Sequence, residues 1–357
     1  MNNPIHDKID ISEKWLLENL PKAFETLLQD HSSGENIYWA TDMYSNRGEG
    51  FGFFDPITVD KIKNDDVIRP RVCKSEEERT RRIKEKAEVF TPAWICNAQN
   101  NLVDEAWFGR SDVFNRQVEG SHDWEISDRP ILFEVHKDSS SRSFENYVKD
   151  RRLEITCGEA PYLVSRYDAV SGEIIPIGKR IGMLDRKLQV ITQEIKEPDL
   201  WLDYAREAIK SIYGFEWQGD SLLLAREAIL LTVIEYFIYA FPDEPGNDIT
   251  FTSFKQRINK FAHFISCNIW QMDGLNYVLP GTSDKPFRQQ SVDLFALSVD
   301  EEIEESRKEA KEILKALRCG QPPSTPRGIP AVVYDWWDEK GNSKKEKQFF
   351  ASLVNHD

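Results

Sequence analysis

Residues 151–164 read RRLEITCGEAPYLV. A short apolar stretch ends on an acid, Glu154. The turn residues Thr156-Cys157-Gly158-Glu159-Ala160 follow, and Pro161 then opens a run containing Leu163 and Val164. This pattern predicts a strand, a tight turn and a helix over 161–167. In open α/β sheets a ligand binds in such a crevice, outside the carboxyl ends of the strands. There a helix N-terminus offers unpaired N–H groups and a partial positive charge.

Reading outward, the α/β pattern begins near residue 144 with a short helix, FENYVKD, that leads into strand 152–156. Residues 168–182 form an excursion. Helix 199–210 precedes strand 211–216 (SIYGFE), and Asp220 or Ser221 caps a helix over 221–240 that is apolar nearly all round, so buried on most faces. Strand 264–270 (FISCNIW) follows. Helix 299–317 is highly charged, 321–330 is a Pro-rich linker, and 331–336 with 347–354 make a hairpin around Gly341-Asn342. Before residue 144 lie a helical region over 12–30 interrupted by Pro21, an irregular stretch over 34–70, a charged helix over 75–88, and a helix from Pro92 to about Trp107. The organisation expected is an N-terminal helical and irregular region (1–75), a loop-rich region (76–143) and an α/β domain (144–357).

The chain has 357 residues, 40% apolar and 30% charged, with a net charge of −15. That composition supports a real core and argues against unaided DNA binding, which usually needs a basic face. The one basic run, RTRRIKEK over 79–86, reads first as a solvated helix face. Five scattered cysteines without Cys-x-x-Cys spacing predict reduced thiols, no disulfides, no zinc site and a cytoplasmic location. No apolar run has the length of a membrane span, and MNNPIHDKID lacks a signal-peptide pattern.

Three expected strands end in or just before an acid: Glu154, Glu216 and Asp273. Such carboxylates accept hydrogen bonds from ribose hydroxyls or an exocyclic amine. The alternative for each is a turn or cap acid.

In order, the motifs resemble the cofactor-binding half of an adenine-N6 DNA methyltransferase of a restriction–modification system. Phe90-Thr91-Pro92 resembles the family's Phe-Thr-Pro segment, which packs over the methionine end of S-adenosylmethionine (SAM). Glu154-Ile155-Thr156-Cys157-Gly158-Glu159 resembles the Asp-Pro-x-Cys-Gly-x-Gly loop. Tyr213-Gly214-Phe215-Glu216 with Leu224-Ala225-Arg226-Glu227 resembles the second-strand pattern, so Glu216, followed by Trp217, takes the ribose role. Asn268-Ile269-Trp270-Gln271-Met272-Asp273-Gly274-Leu275 resembles the Asn-Ile-x-x-Gly-Asp-x-Leu element, which puts Met272 and Asp273 at the adenine.

The resemblance implies a Rossmann-like class I SAM-dependent methyltransferase core with an incomplete sheet, and SAM as cofactor. It departs at Ala160-Pro161, where the family has its last glycine. The family's Asn/Asp-Pro-Pro-Tyr/Phe catalytic element is absent, since Pro322-Pro323 has Gln321 before it and Ser324 after it. Three readings fit: a split enzyme whose partner supplies the catalytic and target-recognition elements and reaches DNA through the complex, a non-catalytic scaffold subunit, and a truncated chain. In the first two, a partner completes the sheet. Trp336-Trp337 near Tyr334 offers an exposed aromatic interface, or simple local packing. A nuclease reading rests on Glu134, His136 and Lys137, with a weaker set at Asp338-Glu339-Lys340.

Overall fold

The structure is a computed structural model and describes residues 13–63, 67–86, 90–133, 142–242, 252–287, 298–321, 327–338 and 341–354. In chain order the helices are α1 (Glu13–Asn19), α2 (Pro21–Leu27), α3 (Val59–Ile62), α4 (Glu76–Lys86), α5 (Ala93–Phe108), α6 (Phe144–Lys149), α7 (Met183–Glu194), α8 (Pro198–Lys210), α9 (Gly219–Ala240), α10 (Thr252–Asn268), α11 (Val299–Arg318) and α12 (Phe350–Val354). The strands are β1 (Asn115–Gln117), β2 (Trp124–Ile126), β3 (Arg152–Glu154), β4 (Ile212–Glu216), β5 (Ile269–Gln271), β6 (Val332–Trp337) and β7 (Ser343–Phe349). Among the described residues no helix is long and apolar enough to cross a membrane.

The chain divides into two compact units. One comprises residues 69–213 and 227–261, the other 13–68, 214–226 and 262–357. The divisions fall inside β4, α9 and α10, so these elements run from one unit into the next. A small parallel sheet has the order β3-β4-β5. In the first unit β3 joins the start of β4 through Arg152 N–H donating to Ser211 O at 2.9 Å. In the second, β5 pairs in parallel with the end of β4, setting Glu216 opposite Gln271. The chain is mixed α/β, and its parallel sheet is limited to these three strands.

In the first unit, Pro92 is the N-cap of α5, whose first turn packs with Trp124, Ile175 and Ile181. A buried polar layer joins α5 to α7. Arg186 of α7 is 1% exposed. Its guanidinium donates to Asp104 Oδ2 at 2.5 Å and to the side-chain oxygens of Asn97 and Asn101 at 2.8 and 2.7 Å, all on α5. Two successive helix turns carry those acceptors on a single face, at i, i+4 and i+7, so the buried charge is paired with Asp104. Lys187, next on α7, donates to Val148 O, Asp150 O and Ser211 Oγ. It thereby ties the chain entering β3 to the chain entering β4.

In the second unit, α11 begins with a capping box in which Ser298 and Glu301 bond reciprocally. Its apolar face supplies Ala310, Ile313 and Leu314 to a core with Tyr38, Leu279 and Ile329. Gly219 opens α9 where a side chain would collide with Tyr38 O, at 2.1 Å from the added carbon, so the close approach of the 38–40 segment requires glycine. β6 and β7 form the antiparallel C-terminal hairpin.

Several boundaries differ from the sequence expectation. Residues 161–163 are a turn, not the start of a helix. Leu163 O accepts from Leu184 N at 2.8 Å, so the segment is spent on receiving α7 rather than on its own helix. Helix α10 continues through Asn268, leaving a strand of only three residues where seven were expected. Residues 347–349 belong to β7, but the chain turns into α12 at Phe350. The anticipated aromatic interface is buried: Tyr334, Trp336 and Trp337 are at most 4% exposed. Trp336 Nε1 donates to Asn268 Oδ1 at 2.8 Å, which is the local-packing alternative. Glu134, His136, Lys137, Glu339 and Lys340 lie outside the described residues.

Candidate functional site

In the first unit the loop after β3 is backbone-strained. Thr156, Gly158 and Ala160 have φ of +47°, +54° and +63°. Only the middle one is glycine, and the left-handed region costs an L-residue about 1 kcal/mol or more. The Phe90 ring lies on this loop, 3.4 Å from where a Gly158 side chain would begin, and Arg71 stacks over the same ring at 5.0 Å. The Phe90-Thr91-Pro92 segment and the 154–159 loop are therefore neighbours. Thr91 O receives the Cys96 thiol at 3.7 Å.

The carboxylates of this loop are engaged with the protein itself. Glu154 accepts from Tyr162 N and Leu163 N at 3.3 and 3.1 Å, capping the turn that follows it. Glu159 is 5% exposed and accepts from Arg71 N at 2.7 Å and Tyr167 OH at 2.5 Å. Burial, with Glu159 beside it, pushes the Tyr167 hydroxyl well above its ordinary range, so it stays a donor. Cys157 is buried and Thr156 is exposed.

Sequence reasoning missed Asp168. Its Oδ2 accepts from Ala93 N, the first N–H of α5, at 2.6 Å, and its Oδ1 accepts from Val170 N and Ser171 N. Burial alone would raise this carboxyl, but the three N–H donors outweigh burial and hold it below the usual range. The signal was present as Asp168-x-Val-Ser, an Asx-turn pattern, though its long-range partner was not.

In the second unit the β4–β5 pairing places two acids along one strand-end edge. Glu216 is 9% and Asp273 is 6% exposed. Glu216 Oε1 accepts from Gln218 N at 3.3 Å. Asp273 Oδ1 accepts from Leu275 N and Asn276 N at 2.8 and 3.2 Å, and Oδ2 from Asn276 Nδ2 at 2.8 Å. Met272 is buried, its sulfur against Trp270 Nε1. Trp217 is 37% exposed with Nε1 on Ala40 O, and Leu275 is 83% exposed. Gln271 locks the edge by donating to Tyr38 O and Trp217 O.

Asp273 Oδ1 already takes two bonds, while its Oδ2 takes one of the two a carboxylate oxygen can accept. The second unit carries two acids, an indole and an apolar side chain near these strand ends, the group types that hydroxyls, an amine and a flat base would call for. The first unit's loop fits an amino-acid carboxylate less well, because Glu159 puts a buried negative charge there.

No family of known proteins, no characterised protein and no solved structure matches this chain.

Proposed function

We propose that this chain is the SAM-binding subunit of a split adenine-N6 DNA methyltransferase, in a restriction–modification or phage-defence system, with a second chain supplying the catalytic and target-recognition elements. The observation that carries the reading is the strand order. In dinucleotide-binding sheets the first three strands lie in space as 3-2-1. Here β3, β4 and β5 are likewise adjacent in sequence order, parallel, with β4 in the middle. An acid stands at or just beyond each carboxyl end.

SAM supplies an activated methyl group when bound. This chain's part is to hold it: Glu216 for the ribose hydroxyls, Asp273 for the exocyclic amine, and Trp217 with Leu275 for the base plane. Pre-paid positioning accounts for much of the rate gain in such transfers. The partner's site is argued from β3, the end strand of its sheet. Leu153 of β3 and Ile155 of the turn that follows it are 47% and 67% exposed. A partner that completes the sheet would cover them.

A second reading is a non-catalytic scaffold that keeps the sheet without the ligand. The engagement of Glu154, Glu159 and Asp273 in capping bonds favours it.

The test is calorimetric titration of SAM into the full chain, alone and with its candidate partner. The proposal expects binding that weakens roughly 5- to 150-fold in Glu216→Ala, the equivalent of about 1–3 kcal/mol for a lost charged hydrogen bond. Absence of SAM binding in both samples overturns it and leaves the scaffold reading.

A further inference from the structure

We propose that His31, His263 and Cys267 of the second unit form a binding site for one thiophilic cation of the zinc class. The inference is independent of the methyltransferase reading.

His263 and Cys267 stand four residues apart on α10, so they share a face one turn apart. His31 comes from the turn after α2, more than two hundred positions away in sequence. The three side chains nevertheless bring one ligand atom each to within 4.8 Å of one another. A tetrahedral zinc site, with bonds of about 2.0–2.1 Å to nitrogen and about 2.3 Å to sulfur, needs ligand atoms roughly 3.3–3.8 Å apart. Cys267 Sγ and His263 Nε2 are 3.8 Å apart already. Small side-chain rotations close the rest.

The scaffold around the cluster is built to hold it. Arg226 is fully buried and donates to Leu27 O and Gln29 O on one side and to Ser266 O and Ile269 O on the other. It clamps the segment leading to His31 against the end of α10. Arg307 Nε donates to His31 O at 3.0 Å. The His31 ring is fixed by Ser266 Oγ, 2.9 Å from Nε2, and by edge contacts with Tyr334 and His263. Polar partners of this kind orient liganding imidazoles in metal sites.

The donor chemistry is right for the ion. Two imidazoles and a thiol supply the nitrogen and sulfur donors that such an ion takes. One thiolate and two imidazoles suit zinc or copper(I) over magnesium or calcium. Coordination replaces the Cys267 S–H bond with an S–metal bond and releases that proton to solvent. Lys345 Nζ already sits 3.3 Å from His263 Nε2, putting positive charge on that donor atom. Lys345 is an exposed residue, so its flexible side chain can give way.

The experiment uses the full chain, stripped with a chelator and titrated with Co2+ as a coloured stand-in for Zn2+. Expected are one equivalent bound, a thiolate-to-cobalt charge-transfer band, tetrahedral d–d bands, and displacement by Zn2+. Cys267→Ser abolishes the charge-transfer band, and His263→Gln weakens uptake tenfold or more. Lys345→Met binds at least as tightly as the parent. Absence of a charge-transfer band at saturating Co2+, or uptake unchanged in His263→Gln, overturns the site. His263 is only partly buried, so that variant serves if Cys267→Ser fails to fold.

Discussion

Ala160 holds φ at +63°, in the region that only glycine enters without steric cost. The position carries a fully buried methyl group where the resembled loop has glycine. Ala160→Gly is expected to stabilise the chain by about 0.5–1 kcal/mol, less the extra entropy of a glycine when unfolded. Equilibrium urea unfolding measures it; a destabilised variant would mean that packing around the fully buried methyl outweighs the strain. Thr156, branched at Cβ and also left-handed, should respond in the same direction. Asp168 makes an opposite case. Its carboxyl is held below the ordinary range, so it stabilises the fold above the unfolded-state pKa near 4, and that contribution is lost as pH falls through the folded value. Asp168→Asn should cost about 0.5–1 kcal/mol at pH 7, and the cost should shrink as pH falls through the folded carboxyl's lowered range, where both chains come to present a neutral group. A pH-independent cost would assign the effect to geometry instead of charge.

At the scale of elements, Lys187 on α7 gives the sharpest expectation. Burial, with Arg152 adding to it, pushes its ammonium down to about 7, against about 10.4 when unfolded. Between those values the unfolded chain carries a proton that the folded chain lacks, so stability rises with pH over that interval. A neutral amine keeps two hydrogens, enough for the Val148 and Asp150 carbonyls. Lys187→Met takes a donor from both carbonyls, and although Val148 O keeps Ser211 Oγ at 2.8 Å, the loss at Asp150 O costs roughly 1–3 kcal/mol at pH 7. The gap to the parent should widen between pH 7 and pH 10, read from unfolding curves at both. A constant gap would show that Lys187 stays charged when folded. The sequence did not single out α7 at all, although its apolar spacing is helical. Its buried charges, Asp185, Arg186 and Lys187, read as solvent-facing until Ser165, α5, and the Val148 and Asp150 carbonyls supply their partners. The long regular elements, α8, α9 and α11, were legible because caps and periodicity are local. The 161–167 helix and the 264–270 strand were misread because both ends are settled by tertiary contacts: α7 docking on Leu163, and α10 running on to Asn268. The metal-type cluster was invisible because no spacing rule joins His31 to His263 and Cys267.

For the whole molecule the governing quantity is charge. Sixty-one acids face forty-six Lys and Arg residues, for a net charge of −15. The basic run over 79–86 does not present a basic face: Arg82 of α4 is 1% exposed, and Glu76 and Glu77 share the groove side of the helix with Arg81 and Lys84. Glu78 takes up Arg69 at 3.6 Å and sits 4.0 Å from Arg82. DNA affinity from phosphate contacts falls with a log–log salt slope of about −0.9 per phosphate neutralised, so a chain that grips DNA alone must show both affinity and that slope. The expectation is no measurable change in fluorescence anisotropy of a duplex DNA probe with this chain alone at 150 mM salt, and binding that appears only with the partner present. Micromolar binding by the chain alone, with a steep salt slope, would place a basic surface on this subunit and remove the reason for assigning DNA recognition to the partner.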